Sequence, residues 1–382
     1  MIKVLVRGLL AASLVFSFAA SARTATVPDV LAHYGRIVEA SYADSAAAAR
    51  SLKAAIDAFV AAPSEAGLVE ARKRWLAARE WYGQSEAFRF YGGPIDGEDG
   101  PEGRINAWPM DEAYVDGVAG HPQAGVINDR SAPLDVASLI ALNEKDGEEN
   151  ISTGWHAIEF LLWGQDLNND GPGNRSWTDF ADGKAANADR RRTYLQIVTD
   201  LLVEDLEGLA AAWSTAPDSY RSSFVTDEGN LTKVISAIGI LSRAELAGER
   251  IEVALDSQSQ EDEHSCFSDN THRDIVANAV GIRNVWSGKY QRPDGSLLAG
   301  PALRDLVAVR DAGLAARIDA RMDASVAAAE AVPAPFDQAI LAGNPGRDKV
   351  EAVVEVLKRQ TEDLVLAANA LGIRHLNTSL PE

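Results

Sequence analysis

The stretch "ADSAAAARSLKAAIDAFVAA", residues 43–62, decides the fold. It is built mainly of alanine, leucine, lysine and arginine, which favour helix over every other state. The helical period recurs downstream. Trp75, Ala78, Tyr82, Ser85 and Glu86 fall at spacings of three and four. Val234, Ile238, Leu241, Glu245, Gly248, Glu252 and Leu255 do the same, as do Val350, Val353, Leu357, Leu364, Ala368 and Leu371. Such spacing places each set on one helix face. No convincing run alternates as a strand would. The pattern predicts helices at about 29–61, 64–91, 109–117, 133–142, 153–164, 187–213, 230–257, 271–289, 301–330 and 347–371. Loops rich in Pro and Gly separate them, such as "YGGPIDGEDGPEG" and "QRPDGSLLAGP". Long helices with such connectors predict an all-α chain of two helical bundles of the four-helix type. The expected division is 23–215 and 216–382. "RKRWLAAREWYG" and "GIRNVWSGKYQ" share an aromatic, a basic residue and a tyrosine, which hints that the bundles are related.

The chain has 382 residues, 46% of them hydrophobic, enough for a sizeable core. Its first segment does not belong to that core. "MIKVLVRGLLAASLVFSFAASA" carries Lys3 and Arg7, an apolar run from Gly8 to Ala20, and a small-x-small ending at Ala20-Ser21-Ala22. This reads as a signal peptide over residues 1–22. The run is short for a membrane span, which takes about 20 residues. No cysteine follows it for a lipid anchor. The expectation is an exported, periplasmic protein with no transmembrane segment in its mature form. The only cysteine, Cys266, allows no internal disulfide. The formal charge is −20, and loss of Lys3 and Arg7 would make it −22. That excess disfavours nucleic acid as a partner and favours cations.

"ISTGWHAIEFLLWGQD", residues 151–166, sets His156 and Glu159 into an apolar helix. Three residues apart, they share a face and can meet one ligand. Trp155, Ile158, Phe160, Leu161, Leu162 and Trp163 surround them, so the helix is expected to be buried. A buried glutamate needs a partner or a cation. One reading is a buried His–Glu pair; the other is a pair of metal ligands. The zinc-peptidase motif H-E-x-x-H is absent, and Phe160 stands where its inverted form has a second histidine. Further ligands must come from elsewhere. Glu86 and Glu245 lie on apolar stripes, and Asp96 and Asp111 flank a glycine-rich loop.

Other stretches carry weaker signals. "DLNNDG", 166–171, opens like a calcium loop, but Trp177 stands at the twelfth position, so a turn is expected. "EDEHSCFSDNTHRDI", 261–275, contains His264, Cys266 and His272. It reads as an inter-helix loop with Ser268 or Asp269 capping the next helix. No nucleophile elbow, phosphate loop or dinucleotide fingerprint is present.

"GWHAIEFLLWGQD" resembles the GxHxxE signature of the imelysin-like family. "WLAAREWYGQSEAFRFYGGPID", "GRINAWPMDEAYVD", "LSRAELAGERIEVAL" and "EDEHSCFSDNTHRDIVANAVGIRNVWSGKY" agree with it in order. The last two are similar to its iron-regulated protein A branch. The resemblance spans roughly residues 27–375. It implies two related four-helix bundles and a periplasmic or outer-membrane-associated protein of bacterial iron uptake. It also implies a metallopeptidase label. Gly154, His156 and Glu159 match the motif itself. Glu86, Arg89, Asp96, Trp108 and Asp111 sit in matching segments. The absence of a lipobox cysteine departs from many outer-membrane relatives.

The favoured expectation is non-enzymatic binding of a metal ion, iron before zinc, or of an iron chelate. Its ligands are expected among His156, Glu159, Glu86, Asp111 and Glu245, with Gly154, Arg89, Asp96 and Trp108 lining the site. The alternative is a zinc endopeptidase with Glu159 at its centre. A further alternative is a receptor or scaffold whose interbundle cleft, lined by Trp108, Trp155 and Trp163, holds a chelate or a cell-envelope protein.

Overall fold

The structure is a computed structural model and describes residues 24–168 and 171–380. The expected signal peptide lies outside these residues. Helix α1, Val27–Ala61, starts where Thr26 and Asp29 cap each other, with Pro28 in the first turn. At 1.5 Å per residue it runs about 52 Å. It packs against α2, Glu65–Ser85, and against α4, Ala188–Ala212. The apolar helix α3, Gly154–Trp163, closes this group against α2 and α4, and every residue of it is buried. A second group contains α5, the continuous helical run 230–257, and α6, Thr271–Ser287. The chain continues through α7, Leu303–Arg310, to α8, Ala312–Glu330, and α9, Arg347–Ala370. There α9 packs on α5 and α8, and α6 packs on both α5 and α8. Two four-helix groups result, as expected.

The groups meet where α2 crosses α6. Glycine permits the close approach. A Cβ added to Gly83 would lie 2.7 Å from the Ala277 Cβ, and one on Gly281 would lie 2.3 Å from the Gln84 carbonyl oxygen. Buried apolar residues of both groups form one continuous core.

Three details depart from the sequence-based expectation. The helix expected over 64–91 ends at Ser85 and tightens into a short turn, Glu86–Phe88. Arg89 is extended and Phe90 is left-handed, so the α-helix cannot continue. The helix expected over 301–330 breaks at Asp311, whose extended backbone lets its carboxylate accept from the Leu314 amide at 2.8 Å. A hairpin also exists: β1, Lys289–Gln291, pairs with β2, Leu297–Ala299, in antiparallel register with Tyr290 opposite Leu298. Three-residue strands are too short for alternation to show. The "RPDGS" turn between them was the readable signal.

Within α5, residues Leu241–Glu252 form i→i+5 bonds. In an ordinary α-helix, residues five apart diverge by about 140°. The wider winding instead stacks them. Glu245 and Arg250 are thereby paired, with Arg250 Nη2 donating to Glu245 Oε1 at 2.8 Å. Among the described residues no helix is long and apolar enough to cross a membrane.

Candidate metal centre

Gly154 begins α3 at φ +82°, and a Cβ there would come within 2.4 Å of the Ile105 carbonyl oxygen. Only glycine seats this helix against the 104–105 backbone. His156 and Glu159 then face each other one turn apart. His156 Nδ1 lies 2.9 Å from Glu159 Oε2, and both side chains are buried. The other oxygen of Glu159 accepts from the Ser268 amide at 2.9 Å and the Ser268 hydroxyl at 2.6 Å. His156 Nε2 is buried and has no hydrogen-bond partner.

A second histidine completes the centre. The His264 ring stands 4.9 Å from the His156 ring, centroid to centroid, at an interplanar angle of 64°. Its Nδ1 lies 3.2 Å from Asp274 Oδ2, so a carboxylate holds this ring also. On its Nε2 side there is only the Asn106 amide, at 3.4 Å. The Trp108 ring meets His264 edge-on at 5.5 Å, and its indole N–H donates to the Glu263 carbonyl at 2.5 Å.

Arginines surround the pair. Arg79 binds Asp274 Oδ1 through Nη2 at 3.1 Å and Asn106 Oδ1 through Nη1 at 2.6 Å. Its guanidinium also lies over the rings of Trp75, Tyr82 and Trp155. Asn106 donates to Glu86 Oε1 at 3.1 Å. Glu86 Oε2 takes Arg250 at 2.6 Å and Arg89 at 2.8 Å. The buried hydrogen-bonded network is therefore continuous from Glu245 to Asp274 and His264, and the Ser268–Glu159–His156 chain meets it through the contact of the two histidine rings.

Protonation follows from these surroundings. Burial, then the Arg79 charge, lowers His156 to about 3. Burial, then the Arg250 charge, lowers His264 to about 3. Both imidazoles are neutral. Burial raises Glu159 to about 8, although the Ser268 hydrogen bonds oppose it. Burial would also raise Glu86 and Asp274. Arg250 and Arg89 overcome it at Glu86, and Arg79 overcomes it at Asp274, so both carboxyls stay well below their usual range.

The expected site residues divide accordingly. His156, Glu159 and Trp108 are at the centre. Glu159 orients His156 instead of standing beside it as a second open ligand. Glu86 and Glu245 are engaged by arginines and reach the histidines only through Arg250, Asn106 and Arg79. Arg89 joins Glu86 and Glu102 in that outer network. Asp111 is exposed and caps a short helix by accepting from the Ala113 amide at 2.9 Å. Asp96 lies apart, closing its own loop by accepting from the Phe90, Tyr91 and Gly93 amides. Trp155 and Trp163 are core residues packed on Trp75, not the walls of a cleft. Ser268 binds Glu159 and Asp269 is left-handed, so the residue at the α6 N-cap is Asn270. Sequence reading missed His264, Asp274, Arg79 and Asn106 as members of the site. His264 was visible in the acidic loop; Asn106 carried no signal.

The imelysin (peptidase M75) family model matches residues 38–364. The chain belongs to the imelysin family. Iron-regulated protein A of Synechococcus elongatus is 27% identical over 348 residues, covering 86% of this imelysin chain and 84% of that protein. A crystal structure described as an iron-regulated protein A precursor, from Parabacteroides distasonis, superposes with a TM-score of 0.70 at 21% identity, over 92% of this chain and 97% of that one. An imelysin-like protein from Psychrobacter arcticus superposes with a TM-score of 0.62 at 15% identity, over 90% and 95%. These two structures support the imelysin fold.

Proposed function

We infer that this imelysin-family chain is an exported, periplasmic metal-binding protein of bacterial iron acquisition. It holds iron, or a closely related transition ion, through the Nε2 atoms of His156 and His264. One observation carries this reading: a buried, unpartnered imidazole nitrogen on a histidine whose other nitrogen is held by a carboxylate. Metal-binding histidines are oriented in this way, with the outer carboxylate fixing tautomer and ring plane. Asp274 does the same for His264. An ion arriving at Nε2 would release the Glu159 proton, so that His156 Nδ1–H donates to the carboxylate and the Nε2 lone pair faces the metal. The names of the iron-regulated relatives support iron as the cargo.

Among the described residues no three His, Cys, Asp or Glu side chains stand at metal-holding spacing. Two imidazoles thus leave most coordination positions to water or to a chelator, which suits a carried ion or an iron chelate. Both Glu159 oxygens are engaged, which disfavours a role as the base of a zinc endopeptidase. We assign residues 23–215 and 216–382 to the two bundles, with the site drawing on both.

Titration of purified protein with ferrous and zinc ions tests the assignment. Binding should weaken at least tenfold in His156→Ala and in His264→Ala. Undiminished binding in both would remove the imidazole pair as the site.

A further inference from the structure

A cleft of about 700 Å³ opens on the second helical group, and none of its lining residues belongs to the histidine centre. The β1–β2 hairpin forms one wall. In its register Lys289 lies opposite Ala299 and Gln291 opposite Leu297, so these four side chains share one face. That face lines the cleft. The residue between them, Tyr290, turns inward and donates to Asp44 Oδ2 on α1 at 2.9 Å, which pins the hairpin in place. The facing walls come from α6, α7 and α8.

Most of the acids in this cleft are satisfied from within the chain. Asp319 accepts from the Trp286 indole at 2.8 Å and pairs with Arg304 at 2.8 Å. Asp305 meets the same guanidinium at 3.2 Å and accepts from the Ala302 amide at 3.1 Å. Asp323 is met only loosely by Arg283, at 3.6 Å. Lys289 is exposed on the hairpin face and forms no ion pair among the described residues. The spare charge of the cleft is therefore a single ammonium, in a chain whose formal charge is −20. Spare acceptors stand nearby. Asn284 is 8% exposed; its Nδ2 donates to Gln84 Oε1 at 3.0 Å, and its Oδ1 has no partner among the described residues. Gln291 Nε2 donates to the Ser296 carbonyl at 3.1 Å, which leaves Oε1 free in the same way.

We propose that this cleft binds a small hydroxylated carboxylate of the sugar-acid class. A free ammonium calls for an anion, and free amide oxygens call for hydroxyl donors. The carboxylate would meet Lys289, and the hydroxyls would meet Asn284 Oδ1 and Gln291 Oε1. Leu297 and Ala299, on the same hairpin face, offer a seat for the carbon side of the sugar. The volume lies within the range of roughly 300–1,000 Å³ that holds small ligands. One spare positive charge matches a carboxylate better than a phosphate ester, which carries nearly two negative charges.

Calorimetric titration of the purified chain with galacturonate and gluconate tests this site apart from the imidazole pair. One site per chain is expected. Galactose, which has hydroxyls without the charge, and acetate, which has the charge without hydroxyls, should each bind at least about tenfold more weakly. Galactose 6-phosphate should bind no better than galacturonate. Lys289→Gln should weaken the sugar acids at least about tenfold, and because Lys289 is exposed and unpaired the fold should survive. Gln291→Ala should weaken them severalfold, and His156→Ala should leave them unchanged. No binding of either sugar acid, equal binding of galactose or acetate, tighter binding of the phosphate, or undiminished binding in Lys289→Gln would overturn the proposal.

Discussion

Glu159→Gln separates the two things that Glu159 does. The folded carboxyl is held at about 8, against 4.5 for the ordinary group. Between those values it is protonated in the folded chain and ionised in the unfolded chain. Its contribution to stability is therefore complete below pH 4.5 and is lost as pH rises through 8. The slope is about 1.4 kcal/mol per pH unit, and across the window the loss reaches about 5 kcal/mol as an upper limit. Glutamine keeps the shape, still accepts from Ser268 and does not titrate. Urea denaturation of metal-free wild type and variant at pH 5, 6, 7 and 8 isolates the effect. The variant should gain on wild type steadily as pH rises. Parallel stability curves across that range would refute the argument, because Glu159 would then be ionised throughout. A second readout concerns function. The glutamine amide donates to His156 Nδ1, which puts the proton on Nε2 and removes the lone pair from the metal position. Metal affinity should fall about 10–100-fold although the fold survives.

Other expectations follow from the same geometry. Gly154→Ala forces a side chain into a left-handed position against the Ile105 carbonyl and should cost more than about 2 kcal/mol in denaturant titration. Arg250→Ala leaves Glu86 and Glu245 without their strongest partner and should cost about 3–5 kcal/mol, measured the same way. Trp108→Phe removes the hydrogen bond to the Glu263 carbonyl; it should cost about 1 kcal/mol and speed amide exchange across residues 263–270. His156 and His264 are both lowered to about 3 from 6.5, so their contribution is intact above pH 6.5 and is lost as pH falls toward 3. The double variant His156→Gln/His264→Gln should show a flatter acid limb of stability than wild type.

The helices were legible because each buries one face, and that demand writes a period into the sequence. Their breaks were less so. Asp311 ends one helix and starts the next with a single extended residue, which a periodic pattern passes over. The wide winding of 241–252 left no signal either, although the Glu245–Arg250 spacing of five was there to be seen. The HxxE pair was readable because a glutamate in an apolar helix is unusual. Its partners were not, because they arrive from residues 79, 106, 264 and 274, and no local pattern encodes meetings across the fold. The loop around His264 was read by its commonest role, a helix cap. In the fold Ser268 caps nothing and instead binds Glu159, 109 residues away.

The arginines explain why the acids singled out from sequence are poor ligands and the histidines good ones. Arg79, Arg89 and Arg250 stand within bonding reach of Asp274, Glu86 and Glu245, three charges against three. In a low-dielectric interior each carboxylate is bound far more strongly than it would be in water. A metal ion that took Glu86 would have to displace two guanidinium groups, those of Arg250 and Arg89, from a carboxylate they share. A neutral imidazole asks no such exchange. Its nitrogen carries no countercharge, and the nearby positive field keeps a proton from occupying it. The network thus does two jobs with one set of residues. It neutralises the acids that would otherwise compete for the ion, and it holds two imidazoles neutral and oriented where an ion can be met. Replacing Arg79 by Met tests this directly. His156, on which Arg79 is the largest influence after burial, should then titrate nearer its ordinary value in NMR spectra, and Asp274 should become a competing ligand. An unchanged His156 titration would show that Arg79 does not set it.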